Sequence, residues 1–506
     1  MRMSWGWLMA LVAVAATTAA AADDRSDALG VHDREELLGY GRDTWRSVAE
    51  MAEGTPLPVD GLRHLPNGTW QPSPKTTPTD IGVYLWSVLA AERLGILDAA
   101  EAHRRLDRTL GGLERGQRVH GFYFDTIDPR TGAGLRTSPY TGEPIPGILS
   151  SVDNAWLATG LTVVRNAYPA LRDRADGLLK PMDFGFFYVP FDAADPRHHP
   201  GLIQGPYRVV GKTFGGFHQL INTEQRIISY LAVARGQAPA EHYYRVERTL
   251  RIGEMKQSQE PQGVWRSYLG IRVFEGHYTL RGKRIVPSWG GSMFEALMPT
   301  LFVPEEAWAP RSWGVNHRLY VRAQIEHGLE VAGYGYWGFS PACDPAGGYR
   351  TYGVEGLGSD PLGYTSHDVD PHAPAGRRPK GQSANGVVTP HASFLALRFA
   401  PNEAMANLRK LRERFPVYGD HGFLDSVNVS KGVVADRVLM LDQGMILAAI
   451  ANALADDAMR RAFVDEPTER ILRPMMAPEE FTAGPAPAEA HPPGGGAGPF
   501  GAKAGR

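Results

Sequence analysis

Three carboxylates stand out in the sequence because their neighbours are apolar, aromatic or glycine. Glu295 lies in VPSWGGSMFEALMPTLF (286–302), Glu224 in FGGFHQLINTEQRIISYLA and Asp153 in SSVDNAWLATG. Removing a lone carboxylate from water is costly, so such a group accepts hydrogen bonds, takes up a proton or serves a ligand. Two carboxyl groups that face one bond can act as proton donor and as nucleophile or general base, which is the chemistry of glycosidic bond cleavage.

Each of these carboxylates also has a purely structural interpretation. Asp153 and Glu224 are predicted in the first turns of helices, where an acidic side chain meets unpaired N–H groups and the positive end of the helix dipole. From the residues alone, that interpretation is favoured over catalysis. Glu295 has almost only apolar neighbours, yet a buried carboxylate bonded to backbone or to arginine would be ordinary. Three further aspartates have similar surroundings: Asp344, Asp425 and Asp442.

The composition favours a neutral partner and points towards carbohydrate. The 506 residues include 53 Lys and Arg against 55 Asp and Glu, so no strong field attracts nucleic acid or an anionic membrane. The 11 Trp, 19 Tyr and 19 Phe are partly in loops, and flat aromatic rings suit the apolar faces of sugars. Each ring taken singly is better explained as a core residue or loop anchor. The candidate stacking surfaces are Trp289, Tyr334, Tyr336, Trp337, Phe339 and Tyr349.

Helix pairs recur along the chain. Thr77 is a predicted N-cap followed by Pro78 and Asp80, and Gly95 closes that helix; a second helix begins after Asp98. Similar pairs follow in 150–180, 223–251, 392–415 and 435–463. This layout predicts an all-α fold, a toroid of helix pairs in which long loops at 116–149 and 335–390 build a cleft. Short aromatic and β-branched runs at 264–280 are compatible with a small β insertion.

The two ends of the chain differ in composition from the middle. Residues 1–22 have the positive charge, short apolar run and small residues of a secretory signal peptide. Residues 23–477 are predicted to form the helical domain, and the Pro-, Gly- and Ala-rich segment 478–506 to be disordered. We therefore expect a periplasmic or secreted protein without membrane insertion after signal removal. Nothing in the sequence argues against a monomer.

No cofactor is expected. Cys343 is the only cysteine, which excludes an intrachain disulfide and a Cys-based metal site. The segment SHDVDPH (366–372) gathers two histidines and two aspartates, but it lacks a recognised ligand spacing and is interpreted as a solvated turn. No phosphate-binding or dinucleotide fingerprint is present.

Residues from about 75 to 465 resemble the glycoamylase-like family, which includes bacterial endo-β-1,2-glucanases and the cyclisation domain of cyclic β-1,2-glucan synthases. The resemblance is carried by ordered motifs that include TTPTDIGVYLWSVLAAERLG, SSVDNAWLATGL, SWGGSMFEALMP, YGYWGFSPACDPAGGYRTYGV, VVTPHASFLALRFAP, YGDHGFLDSVN and LDQGMILAAIAN. It implies an (α/α)6 barrel, with Glu295 as nucleophile and Glu224 as acid/base. It also implies substrate contacts from Asp153 and from the aromatic loops, so the expected binding residues are Asp153, Trp289, Tyr336, Trp337, Asp344 and Tyr349.

The resulting expectation is an exported glycoside hydrolase or transglycosylase that cleaves internal linkages of a β-glucan, with β-1,2-glucan as the favoured substrate. Retention would place the two carboxyl groups ~5 to 5.5 Å apart and inversion ~6.5 to 9.5 Å apart, and both outcomes stay open. One alternative is a polysaccharide lyase on the same toroid, which would need Arg or Lys near a Tyr or His base. Another is a non-catalytic glucan-binding or envelope-assembly protein, which would need no paired carboxylates.

Overall fold

The structure is a computed structural model that describes residues 29–250, 257, 259–360 and 386–485. The predicted signal peptide and the SHDVDPH segment lie outside the described residues. None of the helices in the described ranges combines the length and the apolar character needed to cross a membrane.

Helices dominate these ranges and follow one another in pairs, as the capping signals predict. The side chain of the N-cap Thr77 accepts a hydrogen bond from the backbone N–H of Asp80, and the carboxylate of Asp80 accepts one from the backbone N–H of Thr77. The helices are α1 Val31–Met51, α2 Pro78–Arg93, α3 Ala99–Arg115, α4 Ser151–Ala167, α5 Arg172–Leu179, α6 Arg226–Ala234, α7 Glu241–Arg245, α8 Met293–Leu297, α9 Glu305–Trp308, α10 Trp313–Glu326, α11 Pro390–Leu395, α12 Pro401–Arg414, α13 Met440–Leu454, α14 Ala458–Phe463 and α15 Glu466–Met476.

Two kinds of helix form an inner and an outer layer. Every residue of α2 from Pro78 to Ala91 is buried, and α13 is buried almost throughout its length, so both helices lie inside the protein. By contrast, α3 buries only one stripe, which includes Leu106, Leu110 and Leu113. The inner helices contact one another: α2 packs on α4 and α13, α4 on α6, and α11 on α8 and α13. Outer helices cover them, with α1 on α13, α3 on α2, α5 on α4 and α12 on α11.

The closest contact between inner helices depends on two glycines. A Cβ atom added to Gly82 would lie 2.4 Å from the carbonyl oxygen of Trp156, and one added to Gly160 would lie 2.4 Å from the carbonyl oxygen of Gly82. The backbones of α2 and α4 therefore touch directly, which brings the first turns of these two helices together.

Short antiparallel strands connect the helices, so the all-α prediction is met only in part. The hairpin β10–β11 occupies the predicted insertion at 264–280, with Tyr268 paired to Ile271 at its turn. The strands are β1 Gly61–His64, β2 Trp70–Pro72, β3 Arg118–Val119, β4 Phe122–Tyr123, β5 Ile148–Leu149, β6 Tyr188–Val189, β7 Leu202–Ile203, β8 Tyr207–Arg208, β9 Thr213–Phe214, β10 Gln262–Tyr268, β11 Ile271–Leu280, β12 Lys283–Ile285, β13 Ala342–Cys343, β14 Tyr349–Arg350, β15 Val387–Val388, β16 Tyr418–Gly419, β17 Gly422–Phe423, β18 Val427–Asn428, β19 Val433–Val434, β20 Arg437–Leu439 and β21 Gly484–Pro485. They form small sheets ordered β2-β1-β20, β10-β11-β12-β21, β5-β8-β9 and β15-β18-β19, together with the pairs β3-β4, β6-β7, β13-β14 and β16-β17.

The predicted domain boundary at residue 477 is wrong, because the packed structure continues to Pro485. Glu479 is completely buried and its carboxylate pairs with the buried guanidinium of Arg248. Strand β21 then adds to the edge of β12. A boundary drawn from composition takes no account of a single acidic residue with a distant partner, so this contact could not be predicted. The rest of the predicted tail, 486–506, lies outside the described residues.

Candidate active site

Acidic side chains collect where the inner helices begin. Asp80, Asp153, Glu295 and Asp442 are each the third residue of their helix, in α2, α4, α8 and α13, and Glu224 lies two residues before α6. The groups interact electrostatically around this end of the bundle: Glu224 with Glu295 and Asp153, Asp153 with Asp80, and Asp80 with Asp442. Helix N-termini favour negative charge, so the inner layer presents an arc of carboxyl groups at one end.

Glu295 is almost fully buried and is held by a dense set of donors. Its Oε2 accepts hydrogen bonds from the hydroxyl of Ser288 at 2.7 Å, the N–H of Gly290 at 3.0 Å and the hydroxyl of Ser292 at 3.1 Å. It also accepts from the N–H of Ser292, which is the N-cap of α8, and this completes a capping box. The structural interpretation is therefore correct for this residue, but capping and catalysis use different lone pairs of one carboxylate and are compatible.

Glu224 has a different environment, although it faces the same region. Its side chain is half-buried and so retains contact with the exterior. Burial raises the pKa of Glu224 to about 8, and the like charge of Glu295 adds to this shift. Glu224 does not cap α6, whose N-cap is Gln225. The helix-cap interpretation of Glu224 is accordingly wrong.

The two glutamates differ in how readily they release a proton. Burial also raises the pKa of Glu295, but the donors from Ser288, Gly290 and Ser292 oppose that shift because they stabilise the ionised form. Of the two carboxyl groups, Glu224 is the one that keeps the proton at neutral pH. A protonated acid beside an ionised carboxylate is the state that two-carboxylate glycosidases require.

Asp153 completes this side of the arc, together with a residue that the sequence did not indicate. The Oδ1 of Asp153 accepts a hydrogen bond of 2.6 Å from the hydroxyl of Thr79 in α2, and its N–H is capped by Ser150. Asp125, from the loop after β4, lies close enough for its pKa to be raised to about 6, first by burial and then by the charge of Asp153. Asp125 directly follows Phe122, Tyr123 and Phe124, so the search for carboxylates with apolar and aromatic neighbours could have found it.

The structure places the predicted aromatic residues and the residues of the hairpin β13–β14 in different environments. Trp289 is half-buried and lies between Ser288 and Gly290, which both donate to Glu295, so its backbone is next to the candidate site. Trp337 is only 2% exposed and packs in the core, so the prediction that it offers a stacking surface is wrong. A ring that is enclosed by protein on every side has no face left for a sugar.

Tyr336 packs against Phe415 with ring centroids 5.3 Å apart, and the ammonium of Lys410 lies over its ring. These contacts explain its position without a ligand. Tyr349 is 54% exposed on the hairpin β13–β14. Asp344 is buried in the same hairpin, where its carboxylate accepts hydrogen bonds from the hydroxyl of Tyr352 and the N–H of Ala346, so it shapes the loop.

A second group of polar side chains lies where α11 and α13 meet. His391, Asp425 and Asp442 are all buried, and one ligand atom from each lies within 4.8 Å of the others. Both ring nitrogens of His391, Oδ1 of Asp425 and Oδ2 of Asp442 have no hydrogen-bond partner. One imidazole and two carboxylates would suit Zn²⁺ or Mn²⁺ as donors, and unpaired buried oxygens would equally suit sugar hydroxyls.

Comparisons with known proteins support the predicted resemblance. Residues 252–467 match the family described as "Glycoamylase: Putative glucoamylase", and residues 63–185 match a second family described as "Protein of unknown function (DUF3131)". The cyclic β-(1,2)-glucan synthase NdvB of Rhizobium meliloti (strain 1021) is 28% identical over 320 residues, which are 61% of this chain and 9% of that protein. The resemblance to the glycoamylase-like family is thereby confirmed.

Solved structures share the fold at low sequence identity. A putative glucoamylase from Bacteroides caccae superposes with a TM-score of 0.63 at 17% identity, covering 88% of this chain and 99% of the other. An endo-β-1,2-glucanase from Chitinophaga pinensis, solved with sophorotriose and glucose, superposes with a TM-score of 0.61 at 15% identity, covering 89% and 99%. The described helices and short sheets therefore form a glucanase-type fold.

Proposed function

We propose that this chain is a glycoside hydrolase that cleaves internal linkages of β-1,2-glucan on an (α/α)6 barrel. The barrel is proposed from the inner helices: α8 contacts α11, α11 contacts α13, α13 contacts α2, α2 contacts α4 and α4 contacts α6. Arg226 at the start of α6 closes the ring through its hydrogen bonds to the main chain of α8. The observation that carries the proposal is the pair Glu224 and Glu295, which interact electrostatically but differ in hydrogen bonding and exposure. The substrate class is supported by the names of the relatives, which include a cyclic β-1,2-glucan synthase and an endo-β-1,2-glucanase.

In the proposed reaction, Glu224 donates its proton to the leaving glycosidic oxygen while Glu295 attacks the anomeric carbon. The C–O bond to the leaving sugar breaks and a glycosyl-enzyme ester forms at Glu295. Glu224, now ionised, takes a proton from water or from an acceptor hydroxyl, whose oxygen then displaces Glu295 and restores both groups. Water gives hydrolysis and a sugar hydroxyl gives transglycosylation, so the same two residues serve both outcomes.

The neighbouring polar groups fit the recognition of a neutral sugar. Asp125, Asp153 and the unpaired atoms of His391, Asp425 and Asp442 present mostly acceptors, which complement the hydroxyl donors of glucose. A lyase acting on uronates would instead place arginine or lysine beside the reacting carboxylate. An arc of carboxyl groups disfavours such an anionic substrate.

The test is an incubation of the full chain with linear and cyclic β-1,2-glucans, with β-1,3- and α-1,4-glucans as comparisons. Products are followed by proton NMR from the first minutes, so that the anomeric configuration is read before mutarotation. We expect oligosaccharides from β-1,2-glucans alone, released first as the β anomer, as retention requires. Initial release of the α anomer would indicate inversion and remove Glu295 as nucleophile. Binding without sugar release would favour a glucan-binding protein, and products that absorb in the ultraviolet would favour a lyase.

Export is part of the proposal and rests on residues 1–22 alone. Cell fractionation of the native host, with mass spectrometry of the mature N-terminus, tests it. We expect cleavage near Ala22 and recovery from the periplasm or the medium. A cytoplasmic protein that retains residues 1–22 would contradict the export proposal without affecting the enzymatic one.

A further inference from the structure

A completely buried arginine connects the two segments that carry Glu224 and Glu295. Arg226 follows Glu224 by two residues, and each of its five guanidinium N–H groups has an acceptor. One Nη donates to the carbonyl oxygen of Thr223 at 2.9 Å and to that of Glu295 at 3.1 Å. The other Nη donates to the carbonyl oxygen of Ala296 at 2.7 Å. A single rigid side chain thus bonds the main chain beside both candidate catalytic residues.

The remaining N–H groups of Arg226 pair with Glu305 in α9. Nε and one Nη donate to the two carboxylate oxygens at 2.6 and 2.9 Å, and neither side chain is exposed. Glu305 is itself held by the hydroxyl of Tyr230 at 2.7 Å and by Nε2 of His317 at 2.8 Å. Nδ1 of His317 has no partner, so we assign the proton of this neutral ring to Nε2. The guanidinium also lies 4.7 Å from the ring of Trp313.

We propose that Arg226, neutralised by Glu305, is a positioning residue that fixes the separation and orientation of the segments bearing Glu224 and Glu295. The inference rests on the proposed two-carboxylate function. Neither Arg226 nor Glu305 is exposed, so neither contacts substrate. Their effect is exerted through the main chain at Thr223, Glu295 and Ala296, and small displacements of paired catalytic groups have large effects on rate.

The ion pair has an electrostatic consequence as well as a geometric one. The charged groups that act on Glu224 are Glu295 from α8, Asp153 from α4 and Arg226 from α6; the two carboxylates raise its pKa, whereas Arg226, together with a backbone hydrogen bond to Glu224, lowers it. Arg226 also holds the pKa of Glu305 down, to about 2, so Glu305 remains ionised and neutralises the guanidinium. Without that neutralisation, the positive charge would make Glu224 a stronger acid and remove its proton at lower pH.

Three variants separate this proposal from a purely structural role. Glu305→Gln leaves the guanidinium uncompensated, so we expect kcat to fall about 100-fold with KM nearly unchanged. We also expect the alkaline limb of the pH profile to move to lower pH. Arg226→Lys keeps one positive charge beside Glu305 but loses the planar fork. For this variant we expect kcat to fall as in Glu305→Gln, but we expect the alkaline limb of the pH profile to stay at the pH of the parent.

The matched control is Glu306→Gln, in the residue next to Glu305. Glu306 also accepts two hydrogen bonds, at 2.5 and 3.0 Å, from a buried arginine, but that arginine, Arg460, bonds the carbonyl oxygen of Thr300. We expect this variant to lose thermal stability while retaining the kcat and the pH profile of the parent. An equal loss of kcat in Glu306→Gln, or a parental kcat in folded Arg226→Lys, overturns the positioning role.

A measurement without substrate keeps the test independent of the proposed function. In protein labelled with ¹³C at glutamate carboxyl groups, the Glu224 signal is identified by its absence in Glu224→Gln and is titrated in the parent and in Glu305→Gln. If Glu305→Gln does not fold, Arg226→Lys replaces it and should leave the Glu224 titration unchanged. A parent that degrades no glucan overturns the proposed function, whereas a Glu224 signal that titrates alike in the parent and in folded Glu305→Gln overturns the role of Glu305.

Discussion

At the scale of single residues, the site depends on two glutamates that share a region but not an environment. Glu295 is buried among donors that stabilise its charge, whereas Glu224 is half-buried and has the raised pKa. The same chemical group can therefore act as nucleophile in one position and as acid in the other. In the proposed reaction, hydrogen-bond donors and burial, rather than residue type, assign the two roles.

Replacing either glutamate by glutamine should abolish most of the turnover. Loss of a positioned acid or nucleophile costs ~10²-fold or more in kcat. Glu295→Gln should also lower the free energy of unfolding by about 1 kcal/mol, because the capping box of α8 is weakened. Glu224→Gln should melt close to the parent, because Glu224 caps no helix. Thermal melts and kcat measurements check both; near-parental turnover in either variant removes that residue from the mechanism.

The raised pKa of Glu224 predicts how activity and stability vary with pH. Activity requires the protonated form, so kcat/KM should fall above an apparent pKa of about 8. Between 4.5 and about 8 the unfolded chain has lost this proton and the folded chain retains it. Unfolding then releases a proton, so this group contributes less stability as the pH rises through that window. In Glu224→Gln, the alkaline fall of the residual kcat/KM and the decline of stability with rising pH should both become smaller. A stability profile identical to that of the parent would contradict the raised pKa.

The group formed by His391, Asp425 and Asp442 predicts a clear response to chelation. If these side chains bind sugar hydroxyls, prolonged dialysis against EDTA should leave kcat and the melting temperature unchanged. His391→Asn should then raise KM more than it lowers kcat. Activity that disappears with EDTA and returns with Zn²⁺ or Mn²⁺ would instead identify the group as a metal centre and contradict the expectation of no cofactor.

At the scale of helices, the relative placement of the carboxyl groups depends on how closely the inner helices approach. Asp80 and Asp153 begin α2 and α4, and the hydroxyl of Thr79 already bonds Asp153 across the two helices. That contact requires the direct backbone approach at Gly82 and Gly160, which leaves no room for a Cβ atom. The packing of α2 on α4 therefore sets the distance between Asp80 and Asp153.

Gly82→Ala should consequently push α2 away from α4. We expect a loss of ~1 to 3 kcal/mol in the free energy of unfolding, as for other overpacked cores, together with reduced activity. The control is Gly177→Ala in α5, where an added Cβ meets nothing within 4 Å. This change should stabilise the protein by ~0.5 to 1 kcal/mol because alanine favours the helix. In denaturant unfolding, the change in the free energy of unfolding should have opposite signs in the two variants. The same sign in both would contradict the close approach of α2 and α4.

At the scale of the whole molecule, the segment after α15 packs against the sheet that contains β10–β12, where its strand β21 pairs with β12. Glu479 supplies the carboxylate for buried Arg248 and also accepts from the hydroxyl of Tyr243. Arg248 also lies 3.8 Å from the buried carboxylate of Glu275, so loss of Glu479 would remove its hydrogen-bonded partner but not all of its compensating charge. The C-terminal residues up to Pro485 are thus part of the folded unit.

Two truncations test this boundary. A chain that ends at Pro485 should melt like the full chain, whereas one that ends at Ala477 should melt several degrees lower, because Arg248 loses the carboxylate of Glu479 and keeps only that of Glu275, whose Oε2 lies 3.8 Å from its Nε. Differential scanning calorimetry of the two proteins compares them directly. Equal melting temperatures would show that the segment 478–485 contributes nothing to stability.

The sequence by itself determined the features that depend on residues three or four positions apart. The capping box of Thr77 with Asp80 and the N-cap Asp98 are local features, so their residue types predicted where α2 and α3 begin. The apolar patterns of the inner helices likewise predicted paired helices. Helix α1 carries weaker signals, with glycine as its N-cap, and was not predicted.

Only the tertiary structure decided which of these residues meet. Glu224 and Glu295 are brought together through Arg226, Asp125 joins Asp153, and Asp442 joins His391 and Asp425. It also enclosed Trp337, a residue whose type suited a sugar-binding surface. Burial, pKa and electrostatic partners arise from contacts between distant segments, and no local pattern of residues encodes those contacts.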